Sequence, residues 1–404
     1  MTEQIDGVVV AGAGPVGLVT ALKIAKSGVP VVVLDGREDV IREPRAIVYH
    51  PPTVEVLDSL GLLDEIKQIG VVKDDYQYRT CDGEVLAAWD NSALEPEDTA
   101  YPYNVHLGQH ELTLVVLRHL LELPNAEVRW GHKVVAVYHD ADTVEVTVEN
   151  LAGQAVRIQA PWLVGADGSH SVVRRATGID YPGFTWPEWL VSTNVRHDFE
   201  SMGFARSNFL VDPKHWGVVA KISKDGLWRV TYAEEPGLPE DEVRRRVPQR
   251  YAEIFGGQCT NEPEIVAPYR VHDRCAAVFR QGRVLLAGDA AHVILPIGGL
   301  GLTGGVMDAI LLGEALSAVI AGESGEERIQ HYAQERRRVY IEFTSPTARE
   351  MKRKISETDP ARKRADLEWF AKLGVDQDIT RRFATATRGL QGNPFRPGGI
   401  RASI

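Results

Sequence analysis

The sequence predicts an α/β protein in three parts: a nucleotide-binding part on a parallel sheet, a part built on mixed or antiparallel sheet, and a helical C-terminal segment. Three observations predict it. The chain opens on a β-branched run, a glycine-rich turn, a helical stretch and a second β-branched run. Two later apolar strands end in paired glycine and aspartate, Asp167-Gly168 and Gly288-Asp289. Between those pairs, roughly a hundred residues alternate apolar and polar positions and are rich in aromatics, as half-buried strands are.

The opening unit is the most readable. Val8 to Val10 form a continuous β-branched run, expected of a strand buried on both faces. Gly12, Gly14 and Gly17 follow as GxGxxG, with Pro15 and Val16 inside the motif. Apolar spacing from Val16 to Ala25 is helical, and Gly28 with Pro30 stops the helix. Val31 to Leu34 read as the second strand, which Asp35 closes. Strand, glycines, helix and acid together specify a Rossmann-like dinucleotide site. Gly12 permits the tight turn, Gly14 lets backbone approach a pyrophosphate, and Gly17 lets the helix pack on the strand. The helix N-terminus offers free N–H groups and a positive dipole to the phosphates. Asp35 is placed to accept from ribose hydroxyls and would repel a 2′-phosphate, so NADP is not expected at this site.

The remaining elements follow in order. "DYQYRTCDGEVLAAWD", 75–90, reads as a hairpin turning at Gly83. "PWLVGADGSHSVVRRATG", 161–178, is a strand ending in Asp167-Gly168, followed by Ser171, Arg174 and Arg175. "FTWPEWLVSTNVRHDF", "FARSNFLVDPKHWGVVAKIS" and "LWRVTYAEE" are strands, and "DEVRRRVPQRYAEIFG" is a helix. Val284 to Ala287 form another strand, followed by five glycines within 298–305 and a helix through "VMDAILLGEALSAVI". From about Thr344 the chain is helical and charged, and its last residues, "GNPFRPGGIRASI", read as irregular.

Bulk composition narrows the function. The 404 residues carry a net charge of −11, which argues against nucleic acid as the main partner. The basic runs at 244–246 and 335–340 read as solvated helix faces. Three cysteines, at 81, 259 and 275, form no CxxC pair, which fits a reducing compartment without disulfides or a zinc cluster. The acidic "MTEQID" is not a signal peptide, and lysines and glycines interrupt the longest apolar stretch. No membrane span and a cytoplasmic location are expected.

The order GxGxxG, Asp-Gly, Gly-Asp resembles the class A flavoprotein monooxygenases, the aromatic hydroxylases with the para-hydroxybenzoate hydroxylase fold. The resemblance implies FAD as the bound cofactor, with NADH or NADPH as electron donor. It divides the chain into an FAD-binding domain (1–75, 100–180 and 270–343), a substrate-binding β-sheet domain (76–99 and 181–269) and a helical segment (344–404). It implies cofactor contacts for Asp289 and Gly288, Asp167, Arg45, Gln109, Arg37 beyond Gly36, and Val134. Gly299, Gly301 and Leu302, within the loop and helix start from Gly298 to Gly305, would put backbone amides at the flavin ring and stabilise its reduced, anionic edge, and Pro296 would shape the reaction pocket through its carbonyl and ring. His292 would brace that loop. The chain departs from the family at Leu295, Thr303 and Gly36, where proline, asparagine and arginine are usual.

The implied reaction hydroxylates a small phenolic or heteroaromatic compound with O2, through a flavin C4a-hydroperoxide. Tyr232 and His215, on candidate sheet strands, are the side chains considered as a substrate-deprotonating base. Alternatives on the same fold are a flavin-dependent epoxidase or reductase, or a non-catalytic flavin-binding redox sensor. A halogenase is disfavoured because "TWPEWL" does not match the WxWxIP signature. The C-terminal helices either cap the FAD-binding domain or make a homodimer contact.

Overall fold

A computed structural model describes residues 2–396. The final residues of the tail expected to be irregular, 397–404, lie outside the described residues. The nucleotide-type half is a six-stranded sheet in the order Arg280–Gln281, Val284–Leu286, Trp162–Gly165, Val8–Ala11, Val31–Leu34, Ala126–Arg129. All neighbours are parallel except the first pair. Every residue of strands Val8–Ala11, Val31–Leu34 and Trp162–Gly165 is buried, which is why they read as unbroken apolar runs. Helices Pro15–Lys26, Gln109–Leu121 and Leu300–Ile320 pack together and against this sheet. A four-stranded sheet lies beside it, made of Thr2–Gln4, Ala155–Ala160, Val144–Glu149 and Lys133–His139.

The second half is an eight-stranded sheet. Its order is His292–Val293, Ile265–Cys275, Gly183–Arg196, Leu227–Glu234, Gly217–Lys221, Ser207–Leu210, Tyr76–Arg79, Val85–Trp89. Pairing is antiparallel except between Ser207–Leu210 and Tyr76–Arg79, so the sheet is mixed. The hairpin expected at 75–90 is present, and Gly83 turns it at φ +98°. The boundary expected at residue 270 falls inside strand Ile265–Cys275, which stays in this sheet to its end. The helix expected over 241–256 forms as two, Glu240–Arg245 and Val247–Phe255. Pro248 breaks it, because a proline ring lacks the N–H that would continue the ladder.

Leu300–Ile320 is long and apolar enough to cross a membrane, but 72% of its most apolar window is buried inside the fold. It is the central helix of the molecule. C-terminal to it run Glu327–Val339, a wide turn Tyr340–Thr344, then Ser345–Ile355, Pro360–Phe370 and Gln377–Thr385. The wide turn is tied to the large sheet at Asp273, which accepts from Tyr340 (2.8 Å), Ser345 (3.1 Å) and Arg349 (2.7 Å). Pro360–Phe370 and Gln377–Thr385 lie on hairpin Tyr76–Trp89. Trp369 and Phe370 there meet Tyr78, and Phe383 meets Trp89 edge-on at 5.4 Å.

Candidate active site

A cavity of about 1360 Å³ runs from the glycine turn of the first strand to the face of the large sheet. Its first end is a cradle for a dinucleotide. Gly12 takes φ +107°, and a Cβ there would strike the Ala166 carbonyl at 2.3 Å. A Cβ at Gly17 would come within 2.0 Å of the Gly12 carbonyl, so that glycine serves helix–strand packing. Gly14 differs: a Cβ there would meet nothing within 4 Å. Gly14 caps helix Pro15–Lys26 without any side-chain cap, which leaves the first N–H groups free for an anion.

At the end of the second strand, the Asp35 carboxylate accepts from the Ala13 N–H (2.7 Å), the Arg37 N–H (2.9 Å) and the Arg37 Nε (2.8 Å). Arg37 Nη2 adds a fourth bond at 2.5 Å. Burial alone would raise this carboxyl, but Arg37 and the backbone donors outweigh it and hold the pKa below the ordinary range. Four donors fill the acceptor sites of a carboxylate. A ribose hydroxyl would therefore bind Asp35 in place of the partly exposed Arg37 guanidinium. The intervening Gly36 has its own cause. A Cβ there would press on the Lys133 side chain at 2.9 Å.

Two further acids face the cavity with unfilled acceptors. Asp167 Oδ2 caps helix Val172–Ala176 by accepting from Val172 (2.6 Å) and Val173 (3.1 Å), while its buried Oδ1 has no partner. Asp289 lines the cavity, surrounded by protein but open to the cavity's own space, and no donor reaches its carboxylate among the described residues. Burial raises the pKa of both. Unsatisfied carboxylate oxygens in a deep cleft call for hydroxyl donors, and the ribose and ribityl chains of FAD carry them. Arg45, Gln109 and Val134 line the same cavity, as do Pro296, Gly299, Gly301 and Leu302. The residues present therefore fit FAD. Gly17 and Gly288 do not line it; both serve the packing behind it.

The glycine-rich loop matches its expected position, but its glycines have mixed causes. Gly298 (φ +84°) and Gly299 (φ +68°) hold left-handed backbone, which places the uncapped start of helix Leu300–Ile320 at the cavity. Gly305 is bare because a Cβ would strike Val16 at 2.7 Å, a packing reason rather than a cofactor one. His50 holds the loop from the other side. Its Nε2 donates to the Gly298 carbonyl at 2.6 Å, and Asn104 Nδ2 lies 3.2 Å from its Nδ1. Both contacts suit the neutral ring, and burial lowers its pKa to about 4.

Behind the loop lies a buried ionic network. His292 Nε2 donates to Asp308 Oδ2 at 2.7 Å, and Arg336 Nε donates to Asp308 Oδ1 at 2.7 Å. The Gly288 N–H adds a third bond at 3.0 Å. The His292 ring lies between Phe279 and Tyr340. His292 thus braces the Gly-Asp loop, as the resemblance implied. Arg336 corrects the reading of 335–340 as a solvated face, since it and Glu335 are buried. The lone acid in an otherwise apolar helix, "GGVMDAILLG", was the available signal for this network.

The other end of the cavity is the large sheet. Arg229, Thr231 and Ser192 line it, together with Tyr269, Val218, Ser207 and Phe209. Tyr232 does not. Side chains alternate along a strand, so Tyr232 points to the opposite face, into the core with Trp228, Val230 and Tyr251. His215 is also outside the cavity, held by Glu253 (3.1 Å) and Asp212 (3.6 Å) beside the Arg250–Glu234 pair. Neither is placed to act as a base. Arg229 was the residue to read instead: a charged side chain in the middle of the apolar strand "LWRVTYAEE".

Comparison with known proteins gives the same cofactor. A family model described as FAD binding domain matches residues 6–347. The chain is similar to a para-nitrophenol 4-monooxygenase of Pseudomonas sp. (strain WBC-3), 46% identical over 394 residues, 96% of this chain and 97% of that one. It is 40% identical over 381 residues to a 6-hydroxy-3-succinoylpyridine 3-monooxygenase of Pseudomonas putida (strain DSM 28022 / S16), covering 93% and 95%. The crystal structure of p-nitrophenol 4-monooxygenase from Pseudomonas putida DLL-E4 superposes with a TM-score of 0.94 at 45% identity, over 98% of this chain and 100% of that one.

Proposed function

This chain belongs to the FAD-binding-domain family and is an FAD-dependent aromatic hydroxylase, and from that premise we propose that its substrate is a small hydroxyarene oxygenated para to the hydroxyl. The printed names of the two relatives support the position. One places oxygen at carbon 4 of a 4-nitrophenol; the other at carbon 3 of a 6-hydroxypyridine. Both carbons lie opposite the hydroxyl and carry the other substituent.

The observation that carries the reading is one continuous cavity. It joins Gly14, Asp167 and Asp289 to the Ser192–Thr231–Arg229 face of the sheet. Bound FAD supplies the redox chemistry, taking electrons from NADH or NADPH and activating O2. The chain's own groups do the rest. The free N–H groups after Gly299 favour negative charge at the end of helix Leu300–Ile320. His50 fixes the Gly298 carbonyl, and so the path of the loop. Trp369 and Phe383 roof the sheet end and keep water from it. We place the enzyme in the cytoplasm, as the sequence composition suggests.

The test is NAD(P)H oxidation by the FAD-loaded enzyme, with and without 4-substituted phenols and hydroxypyridines, and products read by mass spectrometry. A compound that accelerates oxidation and gives a product with oxygen at the para carbon in place of the substituent there, nitrite being released from 4-nitrophenol, supports the reading. Oxygen at another carbon, or no acceleration by any hydroxyarene, refutes it.

A further inference from the structure

The cavity face of the large sheet carries one cross-strand row with opposite chemistry at its two ends. Ser192 pairs with Thr231, Thr231 with Val218, Val218 with Phe209, and Phe209 with Tyr78. All five line the cavity. The first end is polar, with the Ser192 and Thr231 hydroxyls 2.7 Å apart. Arg229 stands beside them on the same face, two residues from Thr231. The second end is an aromatic box. Tyr78 stacks on Phe209 at 4.9 Å and on Trp89 at 5.5 Å, and Trp89 stacks on Tyr76 at 5.2 Å. Trp369 and Phe383 close the box from the C-terminal helices, 5.4 Å apart.

Arg229 is the decisive residue. It is 5% exposed and faces the cavity. Its Nε donates to Asn194 Oδ1 at 2.7 Å and its Nη1 to the Arg45 carbonyl at 2.5 Å. No carboxylate pairs with it among the described residues. The ionisable groups facing it are the Tyr49 and Tyr269 phenols, and burial raises the pKa of both. A buried cation without a counter-ion is costly, and an anion entering the cavity removes that cost. Two strand spacings separate Thr231 from Phe209, about 9–10 Å, the scale of one ring with substituents at opposite ends.

We propose that Arg229, with the Ser192 and Thr231 hydroxyls, binds the substrate's hydroxyl oxygen as the phenolate, and that the aromatic box takes the substituent opposite it. The inference rests on the hydroxyarene reading above. Binding a phenol this way breaks its O–H bond and releases the proton to solvent. The ring then enters the reaction electron-rich at the para carbon, where a C–O bond forms and the bond to the substituent breaks; 4-nitrophenol leaves as 1,4-benzoquinone and nitrite, with O2 as oxidant and NAD(P)H as the electron source. Arg229, Ser192 and Thr231 are binding residues; Trp369 and Phe383 set the size of the para substituent.

The test uses FAD-loaded enzyme without reductant, so it is independent of turnover. Binding of 4-nitrophenol is followed by its phenolate absorbance and by proton release, against 4-nitroanisole, its methyl ether. Binding to the wild type should lower the phenol's apparent pKa by about one unit, a tenfold preference for the anion, and so release about half a proton per bound phenol at a pH midway between the free and bound values. Arg229→Gln should weaken phenolate binding by about tenfold or more and leave the ether within about twofold, while Arg229→Lys restores part of the preference. Should Arg229→Gln fail to retain FAD, the double variant Ser192→Ala/Thr231→Val gives the same comparison with the arginine in place. Phe383→Ala should raise the affinity for 4-phenylphenol relative to 4-nitrophenol. Binding of the neutral phenol without proton release, equal weakening of phenol and ether, loss of FAD with phenolate preference intact in the double variant, or an unchanged ratio in Phe383→Ala overturns the proposal.

Discussion

The Asp308 carboxylate accepts from His292, Arg336 and the Gly288 N–H with no access to solvent. Burial would raise its pKa, but His292 and Arg336 hold it far below the ordinary carboxylate value of 3.8. Its stabilising contribution is therefore complete above that value and is lost only as strong acid protonates it. Asp308→Asn leaves Arg336 buried without its partner, a defect worth about 3–5 kcal/mol. The melting temperature should fall and FAD should elute on desalting; unchanged flavin retention would remove Asp308 from the support of the loop. His50 acts in a milder range. Its pKa falls from 6.5 to about 4, so the fold favours the neutral ring. Stability from this group is present above 6.5 and is lost as pH drops toward 4. Thermal melts should show that slope, and His50→Gln should flatten it. Single residues were the least legible part of the sequence. Asp35, Asp167 and Asp289 could be placed because each ends a strand in a motif, whereas His50, Asp308 and Arg336 carry no local pattern and meet only through the fold.

Elements were legible wherever one period dominated. The parallel strands read as unbroken apolar runs because both faces are covered, and the strands of the large sheet read by alternation. Alternation alone does not say which parity faces the cavity. That ambiguity put Tyr232 forward when the working face belongs to Arg229 and Thr231. The helices fared similarly: Pro248 splits one that apolar spacing made continuous, and the glycines of 298–305 answer to backbone conformation and packing as well as to the cofactor. Gly17 separates those causes. Gly17→Ala places a methyl 2.0 Å from the Gly12 carbonyl, so strand and helix must part. Overpacking of this kind costs about 1–3 kcal/mol. A lower melting point with weaker FAD retention is expected, and a variant as stable as wild type would show that the helix can shift freely.

At the scale of the molecule, the substrate chamber is shared by distant parts of the chain. Hairpin Tyr76–Trp89 supplies one wall, the central strands the floor, and helices Pro360–Phe370 and Gln377–Thr385 the roof. The sequence showed these last helices as helical and charged but not what they cover, since that depends on which sheet edge they reach. The double variant Trp369→Ala/Phe383→Ala should keep the dinucleotide cradle and the Arg336–Leu390 bond while opening the roof over Tyr78 and Trp89. NAD(P)H oxidation should then lose its stimulation by substrate while flavin remains bound; full stimulation would show that the roof is dispensable. Arg336 reaches further still. Its Nη1 donates to the Leu390 carbonyl at 2.6 Å, so the buried ion network behind the flavin loop reaches into the segment that follows helix Gln377–Thr385. The loop facing the cofactor is thereby latched by a segment 54 residues beyond Arg336 along the chain. Mild heating that frees the segment around Leu390 should loosen flavin before the sheets melt, and flavin loss that coincides with global unfolding would separate the latch from cofactor retention.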